Sequence, residues 1–597
     1  MCRIAGLADF KNSISQTQLD VEQMCNMLIH GGPDDGGIFV AENCNLVLGN
    51  RRLSLLDLST EGHMPMSYKK QYYITYNGEI YNYQILKNEL ISLGHTFSNK
   101  TDTEVILASY AQWGSLAFTK LKGMFAFALF DNLENELFLV RDGAGIKPLY
   151  YALHKDGLGF ASEVKALSSV STFNQKNKNW PVYMMAYGHI PEPVTTFQEI
   201  KPLPKGCFLK YSFNNRNYHF QSFTHYSYSN QITDVAIAMR SVKKSLSTSV
   251  ESQLLADAPI GVFLSGGLDS SIIASLASKS QHEKLNTLSI YFEEKEYSEK
   301  KYQDVLIQNL QCNHHQLLLK REAFEAALPQ ILTAMDLPSS DGVNTWFISK
   351  YAAEKGLKAV LSGLGGDELF GGYPSFSRIN KAQWLQGLPQ VLKNAGKNSA
   401  SKKLSRMSYL NLDGIKGIYL FLRGHFTPVD IAHYLGAYES EIWSMLDAMP
   451  VFMDAEGIDV KNKAGWMEFN MYMQNQLLRD SDVMSMNHGV EIRVPFLDND
   501  HIRLANSISS DIKYSGQLPK QFLIDTFNDD IPQEIWNRPK MGFSFPFNQW
   551  LAESNYVKEV MLNGNEQSKK YYNKFMGGHL HWSQLMLLLI LNHRNNN

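Results

Sequence analysis

Long hydrophobic runs are missing from this chain. The most extended, Leu585 to Leu591, falls far short of the roughly 20 apolar residues that span a bilayer. The first residues show no charged-then-apolar targeting pattern, so a cytoplasmic location is expected. Charge of one sign is missing too: 56 Lys and Arg meet 59 Asp and Glu, a formal net charge of −3. That balance gives no general attraction to nucleic acid or anionic membrane. Cysteine is sparse. Cys2, Cys25, Cys44, Cys207 and Cys312 are odd in number, scattered and free of CxxC spacing, which describes neither a disulfide framework nor a zinc site. No repeat, charge block or low-complexity tract occurs. What remains is a 597-residue chain of globular composition, too long for a single core and expected to form roughly two to four domains.

The chain is organised around Ser265-Gly266-Gly267-Leu268-Asp269-Ser270-Ser271. An apolar, β-branched run (Ile260 to Leu264) leads into it and a helical run (Ser271 to Ala277) follows. Strand, glycine turn and helix aim backbone N–H groups and a positive helix end at an anion. No Gly-Lys-Ser/Thr follows, so this is not the lysine-bearing phosphate loop. Asp269 would be repelled by phosphates unless a divalent cation lay between them. The combination resembles the pyrophosphate loop of enzymes that cleave ATP to AMP and pyrophosphate; taken alone, it also suits a tight turn with a helix N-cap.

Cys2 directly follows Met1. Removal of Met1 would place a thiol and an α-amino group, pKa near ~8, on one residue, the N-terminal-nucleophile arrangement. Position alone fits an incidental cysteine equally. The stretch Cys2 to Leu7 reads as a buried strand, His30 to Gly36 as a glycine-rich loop, and Arg51 to Asp57 as a strand end offering a guanidinium. Tyr76-Asn77-Gly78-Glu79 joins an amide, a turn and a carboxylate. Thr101-Asp102-Thr103-Glu104 reads as an N-cap with an acidic first turn. With Gly123 to Ala128, Arg141 to Tyr150 and Ala161 to Ala166, these motifs resemble the class II glutamine amidotransferase domain of the glutamine-hydrolysing asparagine synthetase family.

That resemblance implies an αββα sandwich of the N-terminal-nucleophile hydrolase type, with Cys2 as nucleophile and Asn77 and the Gly78 N–H as oxyanion hole. It further implies that Arg52, Leu53, Ser54, Asn77, Gly78, Glu79 and Asp102 bind glutamine. Arg52 would take the α-carboxylate, and Glu79 and Asp102 the ammonium. Two departures lie in loops: Gly31, where the family usually has Arg, and Gly143-Ala144, where a bulkier pair is common.

Residues 213–234 are polar and aromatic without a packed pattern and are expected to join two domains, 2–212 and 235–597. In the second half, apolar strands such as Leu285 to Phe292 and Lys358 to Ser362 alternate with helices, predicting a doubly wound α/β sheet with ligands at the strands' carboxyl ends. The second strand runs into Gly363-Leu364-Gly365-Gly366-Asp367-Glu368-Leu369-Phe370-Gly371-Gly372-Tyr373. Together with Leu477 to Asp482, Val490 to Asp498 and Arg538 to Phe543, this again resembles the asparagine synthetase family. The resemblance implies that Ser265, Gly266, Gly267, Asp269 and Ser270 cradle pyrophosphate and that Phe263, Ile290, Ser362 and Gly363 border the adenosine of ATP. Asp269 and Asp367 would serve Mg2+, and Lys540 would neutralise pyrophosphate. Arg479 and Asp480 equally suit a buried structural pair. Leu364 stands where the family commonly carries a carboxylate, which opens the identity of the acceptor.

The expected function is ATP-dependent amide formation with ammonia from glutamine through an acyl-adenylate, by default aspartate to asparagine. The runner-up is the same chemistry on a uronic acid or natural-product acid. A homodimer is a candidate assembly. A non-catalytic regulatory homologue and a nucleic-acid-modifying ATP pyrophosphatase are the rivals; the near-neutral charge gives the last no support.

Overall fold

The computed structural model describes residues 2–280, 284–397, 399, 401–450, 455, 457–539, 542 and 544–596. The first 222 residues build two six-stranded antiparallel sheets. One runs from Asp35–Ala41 through Leu46–Arg52, Cys2–Asp9, Gly157–Ala161 and Tyr150–His154 to Ile200–Pro202. The other runs from Met66–Tyr68 through Tyr72–Ile80, Gly123–Asp131, Glu136–Arg141 and Cys207–Ser212 to Asn217–Ser222.

Strand alternation sets the layers. Along Cys2–Asp9, Ile4 and Ala8 enter the layer between the sheets with Leu48, Ala128 and Leu139. Ala5 and Leu7 join a second core with Val21 and Met24 of helix Ile14–Met27. The strand is buried on both faces, which is why it reads as one apolar run. Helices Tyr83–Ser92 and Asp102–Trp113 close the far side, packing Leu90 and Val105 against Ile74 and Phe127. Helix, sheet, sheet, helix is the sandwich expected. The Thr101 side chain caps the helix at 102 as its sequence signal predicts.

The joining segment departs from expectation. Asn217–Ser222 is an outer strand, paired residue for residue with Cys207–Ser212, although all six of its residues are exposed. A strand with no buried face carries no hydrophobic alternation, so only its backbone ladder reveals it.

The second half holds a five-stranded parallel sheet in the order Cys312–Leu318, Leu285–Tyr291, Ile260–Phe263, Ala359–Leu361, Glu491–Arg493. It is doubly wound: from the central Ile260–Phe263 the chain adds strands first on one side, then on the other. The order reverses between Ile260–Phe263 and Ala359–Leu361, the place where such sheets open a ligand crevice. A continuous helical run from Val460 to Met486, wound as a π-helix over Glu468–Leu478, packs beside it.

One hydrophobic cluster crosses the join, uniting Val164, Leu167 and Ile190 with Leu337 and Val490. Buried charges cross it too. Arg3, fully buried, meets Glu163 at 3.0 Å and Asp482 of the second half at 2.5 Å. Arg493 meets Glu491 at 2.6 Å and Glu79 of the first half at 3.5 Å. Because Glu163 would still face Arg3, Asp482→Asn is expected to cost about 1.5–3 kcal/mol, the weight of one hydrogen bond to a charged group. Chemical denaturation would measure it, and an unchanged midpoint would show that the contact contributes nothing to holding the halves together.

Candidate active sites

Cys2 and Arg52 are direct cross-strand neighbours, since Cys2–Asp9 and Leu46–Arg52 pair in that register. The cysteine is buried, and burial pushes its thiol up to about 11 against the opposing pull of the chain's amino terminus, the Leu53 N–H and Arg52. The Cys2 main-chain nitrogen donates to Asn77 Oδ1 at 3.3 Å. Asn77 is wholly buried, and its Nδ2 has no hydrogen-bond partner. A buried donor beside a thiol, with nothing to bond, is what a developing oxyanion requires. Gly78 follows at φ +152°, and a Cβ there would lie 2.1 Å from the Met124 carbonyl oxygen, so only glycine fits.

The remaining glutamine-binding candidates are brought to the same end of the sandwich, with their own partners. The Arg52 guanidinium is held by carbonyls of its following loop, at 2.9 Å from Ser59 and 3.3 Å from Leu56. Leu53 is buried, and the Ser54 N–H donates to Asp34 at 2.8 Å. Asp102 accepts from Tyr76 Oη at 2.8 Å and the Ile80 N–H at 2.9 Å, fastening its helix to the strand that bears Asn77. Glu79 faces Arg493; burial nonetheless holds its carboxyl well above the usual range.

The second site is a cavity of about 350 Å³ at the switch point of the parallel sheet. Phe263, Ser265, Gly267, Asp269, Ser270, Ile290, Ser362, Gly363 and Asp367 all line it. Gly266, at φ +87°, does not; its carbonyl accepts from Arg538 at 2.9 Å. The two glycine loops interlock, because a Cβ on Gly363 would sit 2.8 Å from the Ser270 nitrogen and 2.9 Å from Asp269 Cβ. Ser265 and Ser270 hydroxyls bond each other at 2.9 Å and turn the loop back on itself.

The structure adds residues that motif reasoning missed. Lys520 lies 2.7 Å from Asp269 and 2.6 Å from Asp367, its ammonium standing between the two carboxylates expected to hold Mg2+. Burial alone would lower its pKa; the two aspartates outweigh that and raise it. Nothing near Leu518-Pro519-Lys520 marks it in the sequence, since its partners are over a hundred residues away. Arg538 also lines the cavity, paired with Glu299 at 2.6 Å and lying 3.8 Å over the Tyr302 ring. Asp341, Glu368, Tyr373 and Asp480 line the same cavity. Burial raises the Asp480 carboxyl to about 7 and the Glu368 carboxyl to about 8. Arg479 points away, donating to the Ile190 carbonyl at 2.9 Å, so it is not in an ion pair with Asp480. Lys540 lies outside the described residues.

A thiol site on an αββα sandwich and a phosphate-loop crevice on a doubly wound sheet define, in one chain, an ATP-using amidotransferase. Comparison with known proteins agrees. A glutamine amidotransferase domain model matches residues 1–224 and an asparagine synthase model matches residues 241–580. Asparagine synthetase [glutamine-hydrolyzing] 1 of Bacillus subtilis is 31% identical, over 95% of this chain and 90% of its own. A putative asparagine synthetase [glutamine-hydrolyzing] of Mycobacterium tuberculosis is 30% identical over 90% and 86%. Amidase chry2 of Gibberella zeae is 24% identical over 92% and 88%. The chain belongs to the glutamine-hydrolysing asparagine synthetase family. It is a carbon–nitrogen ligase of that type, carrying out glutamine-dependent, ATP-driven amidation.

Replacing Lys520 by Met would remove the buried ammonium that Asp269 and Asp367 share, at an expected cost of about 3–5 kcal/mol. Added magnesium should recover much of the lost unfolding midpoint, because a divalent cation can take the ammonium's place. A loss that magnesium leaves untouched would show that the two carboxylates do not converge on one cation position.

Proposed function

We propose that this enzyme hydrolyses glutamine at Cys2 and uses the ammonia to amidate a carboxylate activated as its acyl-adenylate. The observation that carries the reading is the partnerless Asn77 Nδ2 beside Cys2, in a chain whose second half opens an interlocked double-loop cavity.

With Met1 removed, the Cys2 α-amine takes the thiol proton as Sγ attacks the glutamine side-chain amide. Asn77 Nδ2 and the Gly78 N–H stabilise the oxyanion. The proton passes to the leaving ammonia, and water then hydrolyses the thioester to glutamate. Such a base is needed, since burial disfavours the thiolate. Arg52, Leu53, Ser54, Glu79 and Asp102 form the binding surface for glutamine's α-carboxylate and ammonium.

In the second half, an acceptor oxygen attacks the α-phosphorus of ATP, pyrophosphate leaves, and ammonia displaces AMP from the acyl carbon. Ser265, Gly267 and Ser270 offer donors to the pyrophosphate, with Gly266 shaping the turn; Phe263, Ile290, Ser362 and Gly363 border the adenosine. Lys540 is assigned the departing pyrophosphate through its motif. A cation between Asp269 and Asp367 suits the site, because the ammonium of Lys520 already bridges them and glycines at 366 and 372 leave both carboxylates room. Mg2+ held there would offset phosphate charge. Aspartate is the default acceptor; a uronic acid or natural-product acid is the second reading, prompted by Leu364. The two domains, 2–212 and 235–597, would work together in the cytoplasm, where five free thiols stay reduced.

Cys2→Ala is expected to abolish glutamine-dependent turnover and spare turnover with ammonia, measured as pyrophosphate release. Glutamine use that survives would exclude Cys2 as nucleophile. Asn77→Ala should lower glutaminase kcat by about 10²–10³-fold. The glutaminase rate should also rise with pH up to about 8, as the α-amine loses its proton and can act as base; a rate flat from pH 6 to 9 would remove that base from the mechanism.

A further inference from the structure

The chain-wide balance of charge conceals a local imbalance. Residues 369–412 hold seven of the 56 Lys and Arg and none of the 59 Asp and Glu. They fold into three short helices, Pro374–Gln386, Gln390–Asn394 and Lys402–Ser405, and a last helical turn, Arg406–Asn411. These pieces are knotted together. The Lys393 ammonium donates to the carbonyls of Gln386 at 3.2 Å and Leu410 at 3.1 Å. Asn411 donates to Asn394 at 2.7 Å, and a Cβ on Gly396 would lie 2.8 Å from Leu404 Cβ. Among the described residues, Lys397 alone of the seven cations forms an ion pair, with Glu439. Lys402 donates to the Gln584 side chain, and Arg406 to the carbonyls of Lys402 and Gly424, all neutral groups. Both cations are held below their ordinary pKa, chiefly by partial loss of solvent. Arg406 adds to that effect on Lys402, and Arg378 adds to it on Arg406. Like charges therefore crowd one another across the knot.

Large apolar side chains stand out from the same helices. Trp384 is 66% exposed, Val391 79%, Leu392 53% and Leu404 46%. Arg378, Lys381 and Trp384, spaced three apart on the outer side of Pro374–Gln386, set two exposed cations and an indole in one row. Single exposed apolar residues are ordinary; four on one small basic knot of helices mark a contact surface. We propose that this surface docks the enzyme on an anionic lipid bilayer. Trp384, Val391, Leu392 and Leu404 enter the interface while the surrounding cations meet phosphate headgroups. Nucleic acid would answer the charge, yet it offers nothing to branched aliphatic side chains. A bilayer interface satisfies both. The inference is independent of which acid is amidated.

The test is co-sedimentation of the full chain with vesicles of phosphatidylcholine alone and of equal parts phosphatidylcholine and phosphatidylglycerol. Binding is expected to the mixed vesicles only, and it should weaken about 10-fold or more between about 0.1 and 0.5 M salt as the Debye length shrinks. Lys381→Glu with Lys403→Glu should weaken it about 30-fold or more, since each cation near the surface contributes about fivefold. Trp384→Ser with Leu392→Ser should weaken it about 10-fold. Both pairs of substitutions should leave the glutaminase rate unchanged. Brominated lipid in the mixed vesicles should quench tryptophan fluorescence, and Trp384→Phe should remove that quenching. No binding to mixed vesicles would overturn the proposal, as would equal binding to both kinds, binding that the variants leave unaltered, or quenching that persists in Trp384→Phe. Tighter binding to polyuridylate or polyglutamate than to the mixed vesicles would assign the surface to a polyanion and overturn it too. Should a variant fail to fold, the unaltered chain with the two kinds of vesicle still decides.

Discussion

The contact on which this molecule most depends is the buried meeting of Arg3 with Asp482. Arg3 follows Cys2 directly in the chain, and Asp482 lies two residues beyond Asp480 in the cavity wall. A guanidinium without solvent needs counter-charge, and Glu163 with Asp482 supplies it from the two halves of the chain. Lys147 adds a second cation at 3.5 Å from Asp482. A few residues away, Arg493 repeats the device with Glu491 and Glu79. Both sites therefore sit on elements fastened to one buried layer of charge. The layer makes the relative placement of thiol and cavity a matter of fixed geometry.

The second constraint is the convergence of Asp269 and Asp367 on a single cation position. Two carboxylates brought that close in a crevice need positive charge between them, and Lys520 provides it. One ammonium against two carboxylates leaves a net charge of about −1, counted from unit charges, at that point of the crevice. Interlocking of the two glycine loops at Gly363 leaves no space for a side chain, and so holds the two loops against each other.

Two departures from the family's spelling find their explanation in packing. At Gly31 a Cβ would lie 2.8 Å from both Cγ and Nε of Arg3, so the guanidinium comes from a neighbouring strand while the loop yields room. At Gly143 a Cβ would meet Tyr226, Thr224 and Asn499 within 3 Å, so the small residue lets the segment after the outer strand pack against the second half.

Much was legible in the residues alone. Apolar strands, glycine turns and the Thr101 cap are local properties, governed by backbone sterics and side-chain period, and they marked the first strand, the parallel sheet and both glycine loops; the two antiparallel sheets came through the family resemblance, and Cys2 through its place after Met1. The outer strand Asn217–Ser222 was not legible, because a strand exposed on both faces has no pattern to read. Nor were the charge partners. Lys520 meets Asp269 across 251 residues and Arg3 meets Asp482 across 479. Which buried charge faces which depends on distance and loss of solvent, and only the packed chain sets those.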